Sequence, residues 1–166
     1  MKTSINNSIL KITLCISLFV VSITVMAQEN NVIDDEISVL KTIKDADLKW
    51  GPCPPFMPDG CAIAVLHGDP SKNNVDVLFK VPANSDIPNH WHNSPERMIL
   101  LSGELEVTYE GEETRIMEVG TYAYGPSKKP HTARCGDGDP CIIFIAFEEP
   151  LDAFPFVEET SINIRR

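Results

Sequence analysis

The chain reads as an all-β domain, a sandwich or barrel of short strands, and three observations point there. Apolar runs of strand length recur between clusters of Gly, Pro, Asn and Asp. Residues 74–81 alternate, with Val75, Val77, Phe79 and Val81 on one face, Asp76 and Lys80 on the other, and Leu78 as the exception. The run from Cys141 to Phe147 is apolar throughout, as a central strand covered on both sides would be.

The elements follow in order. Within residues 28–48, Ile33, Ile37 and Leu40 have helical spacing, while Ile37, Val39 and Leu40 also suit a short strand; this is an N-terminal arm that packs on the domain. Lys49 to Asp59 holds Trp50 and four prolines and reads as an irregular covering loop. Strands are expected over Cys61–His67, 74–81, Ile87–His92, Glu96–Leu101, Glu104–Tyr109, Thr114–Val119, Thr121–Tyr124, His131–Cys135 and Cys141–Phe147. Turn chemistry separates them, for example Gly68-Asp69-Pro70, Asn93-Ser94-Pro95 and Glu110-Gly111. Residues 49–150 form the domain, and 151–166 are a tail whose Phe154-Pro155-Phe156 packs outside the barrel or at a partner.

The start of the chain reads as an address. Lys2 and Lys11 precede an apolar run from Ile12 to Met26, and Val25-Met26-Ala27 is a small-residue cleavage site. That run is shorter than the roughly 20 residues needed to span a bilayer. Residues 1–27 are therefore expected to be a cleaved signal peptide, which sends the remainder to the periplasm or outside the cell. The net charge of −10 opposes nucleic acid and anionic lipid as partners. Once Cys15 leaves with the leader, Cys53, Cys61, Cys135 and Cys141 remain, and an oxidising compartment favours bridges. Local pairs Cys53–Cys61 and Cys135–Cys141 would each close a Pro/Gly-rich loop. Alternatively Cys135, which shares strand parity with His131, faces the site as a thiolate.

The chemistry concentrates in Ile87-Pro88-Asn89-His90-Trp91-His92-Asn93-Ser94-Pro95-Glu96. On a strand His90 and His92 leave the same face while Trp91 leaves the other, and Glu96 returns with matching parity after the turn. Two imidazoles and a carboxylate converging on one point suit a divalent first-row metal. His131, after the Pro126–Pro130 loop, is the best further ligand. His67, alone at a strand end, is read as a non-ligand.

These two stretches resemble the paired motifs of the cupin superfamily. His90, His92, Glu96 and Gly103 match the first motif, whose leading glycine is replaced in the region of Ala83-Asn84-Ser85. Gly120, Pro126 and His131 match the second, with Lys128 where the family has glycine and Cys135 where it has asparagine. Trp50–Pro55 and Ala64–Pro70 extend the likeness to small single-domain bacterial cupins, including the cupin domains of some anti-sigma factors, over residues 46–150. The resemblance implies a double-stranded β-helix, or jelly roll. It also implies one divalent transition metal, iron, manganese, nickel, copper or zinc, held by His90, His92, Glu96 and His131.

Parity places Val77, Phe79, Met98 and Leu100 inside, with Tyr122, Tyr124, Ile142 and Phe144 as weaker pocket-lining candidates. Such an apolar pocket suits a small aromatic or carbonyl-bearing molecule. The expected function is a metal-dependent, dioxygenase-like oxidation of a small organic molecule, with Glu96 as ligand or catalytic base. The competing expectation is a non-catalytic metal- or ligand-binding module. Ile99 and Leu101, on the outer parity, are candidates for a homodimer face, unless the arm or a second sheet covers them.

Overall fold

A computed structural model of the chain describes residues 37–157. The expected leader, most of the arm before Ser38 and the last residues of the tail lie outside the described residues. Contacts divide the chain into Met1–Ile37 and Ser38–Arg166, and the fold below is that of the second unit.

All regular structure among the described residues is β. In chain order the strands are β1 Trp50–Pro52, β2 Ala62–His67, β3 Val75–Val81, β4 Ser85–Trp91, β5 Glu96–Ser102, β6 Leu105–Tyr109, β7 Arg115–Met117, β8 Tyr122–Gly125, β9 His131–Cys135, β10 Cys141–Phe147 and β11 Phe154–Pro155. They form a six-stranded sheet, β1-β2-β3-β10-β5-β8, and a five-stranded sheet, β11-β4-β9-β6-β7, antiparallel throughout. Two sheets with neighbours drawn from distant parts of the chain make a jelly roll, as the motifs imply. Among the described residues no helix is long and apolar enough to cross a membrane.

The core lies between the sheets and follows the period-two rule. In β3, Val75, Val77, Phe79 and Val81 point inward; in β10, Cys141, Ile143, Ile145 and Phe147 do; in β5, Glu96, Met98 and Leu100 do. Leu78 is buried as well, but from the outer face, which explains why it breaks the alternation. There it shares a groove with Ile99, Leu101 and Phe144, and residues 39–43 line the same groove. Within the arm, residues 38–48 carry turns and no strand or helix.

Two local expectations change. Trp50–Pro52 is an edge strand rather than part of an irregular loop, with Trp50 opposite Ala64. Pro52 is tolerated because its missing N–H falls at a sheet edge. Trp50 is covered by the Lys80 ammonium, 4.2 Å from the ring centroid. At the other end the tail returns to the sheet: β11 pairs with β4, and Phe154 stacks on Trp91 at 4.6 Å. The outward parity of Trp91 thus has a partner.

Both local cysteine bridges are present, Cys53–Cys61 and Cys135–Cys141. Cys135 is fully buried in a disulfide and is not a free thiolate at the site. Lys128 has φ 60°, the left-handed conformation for which glycine is suited, so the turn keeps its backbone despite the larger residue. Its N–H donates to the His92 carbonyl at 2.7 Å, tying the second ligand stretch to the first.

Two expectations follow. Replacing both Cys135 and Cys141 by alanine frees a short loop and is expected to lower unfolding free energy by about 2 kcal/mol in urea titrations. Lys128→Gly relieves the left-handed penalty and is expected to raise the unfolding free energy in urea titrations by about 0.5–1 kcal/mol after the entropy of the unfolded chain is counted.

Candidate metal centre

Strand register brings the histidines together. His90 near the end of β4 lies directly opposite His131 at the start of β9, and Tyr109 at the end of β6 lies opposite His131 on its other side. One row across the five-stranded sheet therefore reads His90, His131, Tyr109. His92 stands one residue past β4 and completes the cluster. Glu96 reaches in from the facing sheet, where its cross-strand neighbours are Phe147 and Gly125.

All four groups are buried: His90 to 4%, His92 to 7%, His131 to 7% and Glu96 to 4% exposure. The ligand atoms of His90, His92 and His131 lie within 4.8 Å of one another. Glu96 stands beside this trio, with Oε1 3.5 Å from His92 Nε2 and Oε2 3.7 Å from His131 Nε2.

Each imidazole is oriented by a backbone carbonyl. Nδ1 of His90 donates to Pro88 O at 2.7 Å, Nδ1 of His92 to Asp152 O at 2.5 Å, and Nδ1 of His131 to Lys129 O at 3.1 Å. A carbonyl can only accept, so the proton of each neutral ring sits on Nδ1 and the Nε2 lone pair is free. His92 Nε2 is buried without any hydrogen-bond partner. An orphaned acceptor at the meeting point of three such rings fits a metal ion, and the oriented carbonyls are the outer support such ligands require.

Burial favours the neutral form of His90 and His131. It pushes His90 down to about 3, with further lowering from His131 and His92. Burial also lowers His131, against the raising influence of Glu96. Neutral imidazole is the metal-binding form, so the fold prepares the ligands by desolvation.

A cavity of about 400 Å³ opens onto His90, His92 and Glu96. Its walls are mainly apolar: Met57, Ile63, Val77, Phe79, Ile145 and Phe147 from the sheet and covering loop, Leu151 and Ala153 from the tail. Pro52, Cys53 and Pro54 form part of its rim. Asp152 stands at the wall, but its carboxylate is engaged by Asn93 N–H at 3.0 Å and Asn93 Nδ2 at 2.7 Å.

The pocket-lining expectations divide. Phe79 lines the cavity, while Met98 and Leu100 are sealed in the core. Tyr122 and Tyr124 are corrections. They point outward, 59% and 52% exposed, because Ala123 and Gly125 take the inward positions opposite Met98 and Glu96. Phe144, and Ile142 with it, are also corrections. Phe144 sits opposite Leu78 and Ile99 on the outer face, while Ile143 and Ile145 point in. Two residues at the site carried no clear sequence signal. Tyr109 was read only as a strand end, and Asp152 lay in the tail.

Comparison with known proteins agrees with the geometry. Residues 39–150 match the model of the ChrR cupin-like domain, and the chain belongs to that cupin family. No curated protein sequence matches the chain. Among solved structures, the DMSP lyase DddQ from Ruegeria pomeroyi DSS-3 is similar, with a TM-score of 0.58, 23% identity, and coverage of 68% of this chain and 62% of the lyase. The polyketide cyclase RemF from Streptomyces resistomycificus has a TM-score of 0.58, 21% identity, and coverage of 73% and 89%. The oxalate decarboxylase from Lactobacillus farciminis has a TM-score of 0.53, 14% identity, and coverage of 66% and 34%. The chain thus spans about three fifths of the lyase and a third of the decarboxylase. At these identities the likeness is one of fold, on which several enzymes are built.

The depressed histidines make a pH prediction for the metal-free protein. Unfolded His titrates near 6.5, whereas folded His90 does so at about 3. The unfolded state therefore takes up protons first as pH falls. Stability is full above about pH 6.5 and is lost progressively towards pH 3, by up to about 1.4 kcal/mol per unit for this one group. Urea midpoints measured in chelator between pH 7 and 4.5 are expected to fall, and His90→Gln is expected to flatten the slope.

Proposed function

We propose that this chain is an exported, metal-dependent enzyme, an oxidoreductase of dioxygenase type acting on a small and largely apolar organic molecule. The observation that carries this reading is the convergence of three imidazoles beside the buried Glu96 carboxylate, with His90, His92 and Glu96 at the end of an apolar cavity.

His90, His92 and His131 are the proposed metal ligands, with Glu96 as fourth ligand or as proton acceptor. Bound there, a divalent iron, manganese, nickel, copper or zinc would supply Lewis acidity, and a redox-active member of that set would supply electron transfer to dioxygen. The chain's own residues do the rest. The apolar walls exclude water and orient the substrate, and a cavity of about 400 Å³ limits it to a compact molecule. Those walls carry no lysine or arginine, which favours a neutral substrate over one held by a phosphate or several carboxylates. Glu96 is within reach of substrate at the cavity end and can take a proton from it at a carboxylate oxygen. Export is supported by the two disulfides, which suit an oxidising compartment.

The first experiment is elemental mass spectrometry on protein recovered from its native compartment, with His131→Ala beside it. Near-stoichiometric iron, manganese, nickel or copper is expected, lost in the variant. A panel of small aromatic and carbonyl compounds is then expected to drive oxygen consumption, with Glu96→Gln reducing turnover by about 100-fold or more. Stoichiometric zinc, with a ligand bound but never converted, would instead establish the non-catalytic binding module implied by the likeness to anti-sigma factor cupins. Absence of any metal from both proteins would overturn the ligand assignment.

A further inference from the structure

Behind the centre, on the side away from the cavity, stands a group that the reading above does not use. Tyr109 packs its ring against His131 at 4.8 Å and is 8% exposed. Its hydroxyl is buried with no hydrogen-bond partner. Leaving a hydroxyl in that condition costs about 1–3 kcal/mol, a cost phenylalanine would avoid.

Gly125 shows what the hydroxyl approaches. A methyl on Gly125 would stand 2.4 Å from Tyr109 Oη and 3.1 Å from Glu96 Oε2. The phenol from one sheet and the carboxylate from the other thus converge over a single glycine Cα. Gly125 does not have a positive φ, so the position calls for the missing side chain rather than for backbone freedom. Strand β8 keeps its large residues, Tyr122 and Tyr124, outside and offers only Ala123 and Gly125 inward. The space so left is filled by the two oxygens.

The two oxygens of Glu96 have different surroundings. Oε1 faces His92, which lines the cavity; Oε2 faces His131 and lies on the Tyr109 side. Tyr109 does not line the cavity and therefore cannot act by touching substrate there.

We propose that Tyr109 is a positioning residue for Glu96: its hydroxyl donates a hydrogen bond to Oε2 in the loaded centre, which turns Oε1 towards the metal and the cavity. An ionised carboxylate only accepts, and the phenol is the neutral donor at hand. The inference rests on the assignment of Glu96 to the metal centre made above.

The test uses the full chain with cobalt(II) as the probe. Affinity is measured by chelator competition, the visible absorption of the bound ion is recorded, and metal-free stability is measured in urea. Tyr109→Phe keeps the ring and its packing on His131. It is expected to weaken cobalt binding 10–100-fold and shift the visible band, as loss of outer support does, without lowering the metal-free urea midpoint. In a Glu96→Ala background, which removes the acceptor, the same change is expected to alter affinity less than twofold. Gly125→Ala is expected to weaken binding too, and Tyr109→Phe to restore part of it by removing the crowded oxygen. A wild-type chain that binds no cobalt overturns the metal reading and this inference with it. Wild-type binding with Tyr109→Phe within twofold, or an equal loss in the Glu96→Ala background, overturns this inference alone.

Discussion

Three imidazole lone pairs aimed at one buried point are unfavourable until a cation meets them, and the architecture around them is what holds them there. Each ring would rather rotate its Nε2 towards water or pick up a proton. Burial keeps water from all three and disfavours the proton on His90 and His131, and carbonyls of Pro88, Lys129 and Asp152 fix the Nδ1 side. The carbonyls of Pro88 and Lys129 lie two residues from the rings they hold, whereas that of Asp152 comes from the tail, so the tail must dock before His92 is set. The His90–His131 pairing supplies one axis of the arrangement. The Lys128 N–H on His92 O supplies another, joining the loop before β9 to the end of β4. The left-handed Lys128 is the local backbone cost of that junction.

The tail has a structural part in the same arrangement. Its Asp152 carbonyl orients His92, its carboxylate holds the Asn93 turn, and Phe154 and Phe156 anchor it to β4 by stacking and by a bond from Phe156 N–H to Asn89 O. The Cys53–Cys61 loop closes the opposite rim through Cys53, Pro54 and Met57. The cavity is thus walled by the sheets and rimmed by two peripheral segments, each tethered by a different device. Rigid walls of this kind limit reorganisation when a ligand enters, which favours affinity and orientation together.

Much of this was legible in the residues. Period-two parity in β3 and the His-x-His spacing follow from strand geometry, and Ser, Asn, Gly and Pro mark the turns where they occur. Two local cysteine pairs follow from short loops between them. What was hidden depends on register between strands far apart in sequence. Tyr109 belongs to the site because β6 lies beside β9, and nothing in Leu105–Tyr109 encodes that neighbour. Phe144 sits in a run apolar on both faces, so hydrophobicity is silent about which way it points; the pairing with Leu78 and Ile99 decides. For Tyr122 and Tyr124 parity alone does not say which of the two faces of a short strand is the inner one, and the pairing with β5 decides. In β8 the interior is already occupied by oxygens from two other strands, and only alanine and glycine fit.

That crowding bears on how such a site divides its labour. A lone buried carboxylate beside three neutral imidazoles would be free to present either oxygen to a cation, and its orientation would vary with each substrate. Here the surroundings are unequal, with an apolar opening on one side and Tyr109 behind Gly125 on the other. The cavity opens on the side of His90, His92 and Glu96, whereas His131 and Tyr109 stand outside it, paired in the register of β9 and β6. The covering loop and tail contribute to the cavity, and the tail also serves the cluster through the Asp152 carbonyl on His92. On a fold shared with a lyase, a cyclase and a decarboxylase, a change in the tail therefore reaches both the cavity wall and the orientation of His92.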